Sequence, residues 1–170
     1  MRVLPVLALA ICAAAASTAC SGPSLDGVWR VGDATFHPGP VPKEWRRVDA
    51  PGSAVAFRDD ASDASVLVGA RCNVASDDAP LLALTNHLLM GTTERDVASQ
   101  ETVPFDGREA MHTVVRAKLD GVLMAYDVWV TKKDGCVFDF VYLANPQRFD
   151  AGREAFERFV AGFHTLGGAP

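Results

Sequence analysis

The chain has 170 residues, 16 Lys and Arg against 21 Asp and Glu, and a formal net charge of −5. That length suits one domain with its own core, and the acidic balance excludes a basic field for holding nucleic acid. With 49% hydrophobic, 22% charged and 8% aromatic residues, the chain is globular, neither disordered nor fibrous.

Residues 1–19 read as a cleaved export signal. Arg2 is the only charge before Asp26, and Val3 to Ala16 is almost wholly apolar. Such a run is shorter than the ~20 residues needed to span a bilayer core of about 30 Å. A positive start, a short apolar stretch and small residues after it form a secretory signal. Two cleavage sites stay open. Ser17-Thr18-Ala19-Cys20 is similar to a bacterial lipobox, with Ser17 where an aliphatic residue is usual, while Ala14-Ala15-Ala16 would release a soluble secreted chain. Of the 4 cysteines, Cys12 leaves with the signal. Lipidation of Cys20, with chains such as palmitate, leaves Cys72 and Cys136 as an even pair in an oxidising compartment, and this arithmetic favours the anchored form. Ser21 in place of Asp points to the periplasmic face of the outer membrane by a common Gram-negative sorting rule. More than one acyl chain makes a stable anchor. Residues 20–35 are then a tether with a possible edge strand at Val28–Val31, residues 36–166 the domain, and 167–170 a tail.

Pro38-Gly39-Pro40-Val41-Pro42 leads to Trp45-Arg46-Arg47. This is either a strand start whose Trp covers a sheet edge or a rim for a protein partner, since Trp and Arg are enriched at binding hot spots. Ser53–Arg58 and Ser65–Asn73 read as strands separated by an acidic turn at Asp59–Asp63. Pro80–Gly91 predicts a helix between an N-terminal Pro and a C-terminal Gly, with an apolar stripe of Leu81, Leu84 and Leu88 widened by Leu82, Leu89 and Met90. Val97–Phe105 predicts the strand entering a meander.

Asp-Gly recurs at 106–107, 120–121 and 134–135, an even spacing. The dipeptide suits type I′ turns, so Arg108–Leu119, Val122–Lys133 and Cys136–Asn145 predict long antiparallel strands. Alternation sends Val122, Met124, Tyr126, Val128 and Val130 to one face and Leu123, Ala125, Asp127, Trp129 and Thr131 to the other. Neither set is polar, so both faces are covered. Pro146–Leu166 predicts a helix whose Phe149, Phe156, Phe159, Val160 and Phe163 recur at helical spacing. Cys72 would end one strand and Cys136 begin another. A bridge between them is expected, worth about 4 kcal/mol in the chain-entropy model.

Candidate chemistry is sparse. His37, His87, His112 and His164 stand in no zinc-ligand spacing, and no GxSxG, P-loop or GxGxxG occurs. The Asp59–Asp63 cluster lacks the Gly and Glu of an EF-hand loop and reads as a solvated turn. No catalytic, cofactor or metal site is predicted.

The chain resembles the Mog1/PsbP-like fold family. The likeness rests on the proline-rich entry to Trp45, on Gly135-Cys136-Val137-Phe138-Asp139-Phe140-Val141-Tyr142, on Ala144-Asn145-Pro146-Gln147-Arg148-Phe149, and on Phe156 to Phe163. It implies an α+β fold: an α-β-α sandwich around a central antiparallel meander sheet of about six to seven strands with two main helices. Family members are mostly non-enzymatic and include bacterial lipoproteins. The leading expectation is therefore an envelope lipoprotein acting as adaptor or assembly factor for a protein partner, docking by an exposed sheet edge or by Trp45, Arg46 and Arg47. The alternative is a carrier for a small apolar ligand or lipid between the sheet and the Pro80–Gly91 helix.

Overall fold

The computed structural model describes residues 27–49, 55–73 and 78–167. Cys20 and the signal segment lie outside these residues. Among the described residues, ten strands and two helices follow in chain order. The strands before the first helix are β1 (Trp29–Val31), β2 (Ala34–His37), β3 (Trp45–Val48), β4 (Val55–Asp59) and β5 (Ala64–Cys72). After α1 (Leu81–Leu88) come β6 (Thr92–Phe105), β7 (Arg108–Leu119), β8 (Val122–Lys133) and β9 (Cys136–Ala144), then α2 (Phe149–Ala161) and β10 (His164–Thr165). The large sheet has seven antiparallel strands in the order β3-β4-β5-β9-β8-β7-β6, and a small sheet has the order β1-β2-β10.

The three Asp-Gly pairs build the meander. Asp106, Asp120 and Asp134 and the glycines after them all have positive φ, between 45° and 81°. That is the type I′ requirement, whose twist matches the flanking strands. Alternation along β8 and β9 then divides two cores. Cys136, Phe138, Phe140 and Tyr142 join Phe149, Phe156, Phe159 and Phe163 in an aromatic core under α2. Tyr126, Val128, Val130 and Val137 join Leu84 and Leu89 under α1. The result is an α-β-α sandwich with a helix on each face of the large sheet.

Several boundaries differ from expectation for local reasons. β6 begins at Thr92, five residues before the predicted Val97, because Thr92↔Leu119 pairing carries the β7 ladder to its end. Leu82 on α1 and Met90 just beyond it are 43% and 63% exposed, so the apolar stripe is narrower than the leucine content suggested. Its C-cap is Leu89, before Gly91. Asp59 is inward: its carboxylate accepts from Ala61 N–H and Ser62 N–H and from the Ser62 hydroxyl, so the acidic turn is not wholly solvated.

α2 stops at Ala161 rather than Leu166. Gly39 N–H donates to Phe159 O over 2.8 Å, where the Pro38-Gly39-Pro40 segment crosses the helix end. A Cβ on Gly162 would meet Gly39 Cα at 2.5 Å, so both positions must be glycine for this crossing. Beyond it, Phe163 enters the core and the chain pairs with β2 as β10. Neither β2 nor β10 was expected from the sequence.

Cys72 and Cys136 face each other in register on β5 and β9, and a disulfide joins them.

Candidate functional site: an apolar cavity beneath the first helix

α1 lies over β7 and β8 and is pinned at both ends. Lys132 Nζ donates to Ala79 O at 3.1 Å, just ahead of the helix. At its far end, Thr92 Oγ1 donates to Leu89 O at 2.7 Å, and Arg95 donates to the same carbonyl. These ties fix the helix to β8 at one end and to the start of β6 at the other.

At its C-terminal end, α1 does not fill the space above the sheet. A cavity of about 240 Å³ remains, with Leu88, Leu89 and Met90 on one side and Leu67, Val128, Val141 and Leu143 on the other. Tyr126, Asp139, Gly69, Thr92 and Leu119 complete its wall. Asp139 is buried and pairs with Arg71. Tyr126 is 5% exposed, and its hydroxyl has no hydrogen-bond partner among the described residues. Burial, with a smaller contribution from the Asp120 carboxylate, raises its pKa above the ordinary phenol value. The phenol is therefore held neutral, with its hydroxyl oxygen buried in the wall of the chamber.

The opposite face carries a buried polar cluster. Asp127 is fully buried. Its Oδ1 accepts from His112 Nε2 and from Trp129 Nε1, both at 2.9 Å, and its Oδ2 accepts from Arg153 Nε at 3.0 Å. His112 stacks on Trp129 with ring centroids 4.0 Å apart. These bonds join β7, β8 and α2. The cluster holds the helix to the sheet.

The sequence-derived candidates are dispersed. Trp45 is buried against Phe57 and Phe159, so its indole belongs to the aromatic core and forms no projecting anchor. Arg46 and Arg47 are exposed on the edge strand β3, and Arg46 pairs with Asp60. An open cleft beside them is lined by Pro38, Pro40, Val41, Trp45 and Arg47. Cys72 and Cys136 form their bridge at the other edge of β5. Among the described residues, no group of three or more His, Cys, Asp and Glu could hold a metal ion. No described helix is long and apolar enough to cross a membrane. The cavity itself was missed at the residue level. Alternation placed Tyr126 and Val128 on one shared face without saying which helix covers it, and a gap left by two surfaces that do not mesh has no sequence signature.

A two-helix sandwich enclosing a small apolar chamber on one face is thus the architecture. Compared with solved structures, it has the Mog1/PsbP-like fold. The solution structure of cyanobacterial PsbP from Synechocystis aligns with a TM-score of 0.56 at 18% identity, covering 83% of this chain and 88% of that one. LpqN of Mycobacterium tuberculosis, involved in cell envelope biogenesis, aligns at 0.57 with 12% identity over 78% of this chain and 84% of its own. The Ran-binding protein Mog1p of Saccharomyces cerevisiae aligns at 0.55 with 14% identity over 80% and 92%. At these identities the likeness is one of fold. No family model matches the chain, and no curated protein matches it by sequence.

Proposed function

We propose that this is a non-enzymatic envelope lipoprotein, anchored through Cys20, that carries a small apolar molecule in the cavity beneath α1. The observation that carries the reading is the mostly apolar chamber itself, with the buried and unpartnered Tyr126 hydroxyl in its wall. Leaving such a group unpaired costs about 1–3 kcal/mol, and a ligand with one polar group would offset that cost. The envelope location is supported by the export signal, by the pairing of Cys72 with Cys136 that leaves Cys20 for lipid, and by the fold shared with LpqN.

Volume bounds the ligand. The cavity, about 240 Å³, exceeds the ~150 Å³ apolar cavity that takes up benzene and falls short of the ~300 Å³ where drug-sized pockets begin. One substituted ring or a short chain fits; a whole diacyl lipid does not. Calorimetry with a graded series of alkylphenols tests this. Binding should peak at a small member, weaken in Tyr126→Phe, and vanish in Leu88→Trp, which fills the chamber. No heat with any member, together with nothing recovered by organic extraction of the purified protein, sinks the proposal.

The adaptor reading is second, and one feature favours it. At the β7–β8 turn Leu119, Val122 and Leu123 are 36%, 59% and 46% exposed, more apolar surface than a hairpin tip needs. Cross-linking in the intact envelope should capture a partner that is lost in Val122→Asp with Leu123→Asp. An unchanged capture pattern argues against that surface.

A further inference from the structure

His37 and His164 are far apart in sequence and adjacent in the fold. They face each other in register on the antiparallel strands β2 and β10. Their rings stack with centroids 4.8 Å apart and planes inclined by 25°. His37 Nδ1 lies 3.1 Å from Gly27 O, and His164 Nδ1 lies 3.3 Å from Gly162 O. A carbonyl oxygen can only accept. Each Nδ1 of the neutral rings must therefore carry the proton, leaving a lone pair on each Nε2. A distal N–H held by a backbone carbonyl is how proteins orient and strengthen a histidine that binds metal through its other nitrogen.

From this geometry we propose that His37 and His164 chelate a divalent transition-metal ion of the imidazole-preferring class: Cu²⁺, Ni²⁺ or Zn²⁺. Directly opposed residues on antiparallel strands have Cβ atoms about 4.5–5.5 Å apart, close enough that rings turned out of their stack, with the Nδ1 contacts re-formed or passed to water, reach one ion at the ~2.0–2.1 Å of a metal–nitrogen bond. His37 is half-buried and His164 exposed, which leaves room for water in the remaining coordination positions. The soft-to-borderline nitrogen pair should rank the ions Cu²⁺ first, with Ni²⁺ and Zn²⁺ weaker. Calcium and magnesium, which prefer oxygen, should not bind there. The bound ion would clip the C-terminal strand to the N-terminal hairpin.

The site is independent of the α1 cavity and survives if that reading fails. Its test uses the purified disulfide-bonded protein titrated with Cu²⁺, Ni²⁺ and Zn²⁺ by calorimetry, with electron paramagnetic resonance of the Cu²⁺ form. One ion should bind per chain with hyperfine structure from two imidazole nitrogens. Loss of an outer-shell partner weakens metal sites at least about tenfold; His37→Gln and His164→Gln, which each remove a ligand, should cost no less. The double variant should lose the site, while His87→Gln on the exposed face of α1 leaves it intact. Metal should also raise the melting temperature of the parent protein and not of the double variant. Binding that persists in a double variant folded by circular dichroism, a one-nitrogen spectrum, or no binding by the parent protein overturns the assignment.

Discussion

Replacing Asp127 with Ala removes the acceptor for three donors from three elements, and the cost follows from their surroundings. His112 and Trp129 each lose a bond of 2.9 Å, and a buried donor left unpaired costs about 1–3 kcal/mol. The His112 side chain is 12% exposed, so water restores part of its share. Arg153 is different. It is 32% exposed and keeps Glu157 Oε1 at 3.0 Å, so the ~3–5 kcal/mol for stranding a fully buried charge does not apply. Together these give a loss of about 3 kcal/mol. For a domain of this size that lowers the melting temperature by roughly 6–12 °C. Urea unfolding followed by far-ultraviolet circular dichroism measures it without relying on Trp129, whose emission the substitution itself alters. A loss under about 1 kcal/mol would mean that water already satisfies the cluster and that it does not hold α2 to the sheet. A double-mutant cycle with His112→Ala separates the pair energy from the cavity left by the carboxylate.

Three further perturbations probe other layers. Reducing the Cys72–Cys136 bridge, or replacing both residues with Ser, should cost about 4 kcal/mol in urea unfolding, and an unshifted midpoint would show that the link adds nothing to the register. Gly152→Ala sets a methyl group 2.5 Å from Ser62 Oγ, 2.7 Å from Tyr142 Oη and 3.0 Å from Asp59 Oδ2. Those atoms are held in bonds to one another and to Phe149 O, so overpacking of about 1–3 kcal/mol should outweigh the ~1 kcal/mol helix-propensity gain; a stabilised variant refutes the close packing. Burial raises both Tyr126 and Tyr142, the 2 tyrosines of the chain, above the ordinary phenol pKa. Their folded pKa exceeds the unfolded value of about 10, so their contribution to stability is fully present below that pH and is lost as pH rises through the folded values. Phenolate absorbance should therefore appear together with alkaline unfolding, and a tyrosine ionising near its ordinary value in the folded protein contradicts the burial.

The meander was legible because its information is local. An Asp-Gly pair sets the turn, the turn sets the register, and the register sets which side chains share a face. Arg108–Leu119 and Val122–Lys133 accordingly match the observed strands residue for residue. β2 and β10 were not legible. Ala34–His37 and His164–Thr165 are too short for periodicity, and the second is a strand only because it arrives beside β2, itself paired with β1. The same holds for the histidine pair, which no sequence spacing connects. Trp45 was ambiguous for another reason: a Trp after a proline-rich entry fits an exposed rim and a covered edge equally well, and burial under Phe159 decides for the second.

The placement of the two candidate sites constrains how an anchored protein would use them. Gly27 lies against His37, His37 against His164, and the next residue, Thr165, donates its N–H to Asp106 in the β6–β7 turn. The chain therefore enters the domain at that end of β7. The cavity lining runs from Gly69 and Asp139, level with Met111 early in β7, to Leu119 at the other end. β7 has 12 residues, which at about 3.4 Å per residue separates the two ends by ~40 Å. With lipid on Cys20 and a tether of few residues, the proposed anchor would hold the histidine pole near the bilayer and set the Leu119 end of the cavity farthest from it. A carrier built this way exchanges its ligand with the aqueous compartment or with a docked partner, not with the lipid that anchors it. Lengthening the tether between Cys20 and Gly27 by a flexible insert should then leave ligand loading unchanged in membrane-reconstituted protein. A loading rate that falls as the tether lengthens would show instead that the cavity fills from the anchoring membrane.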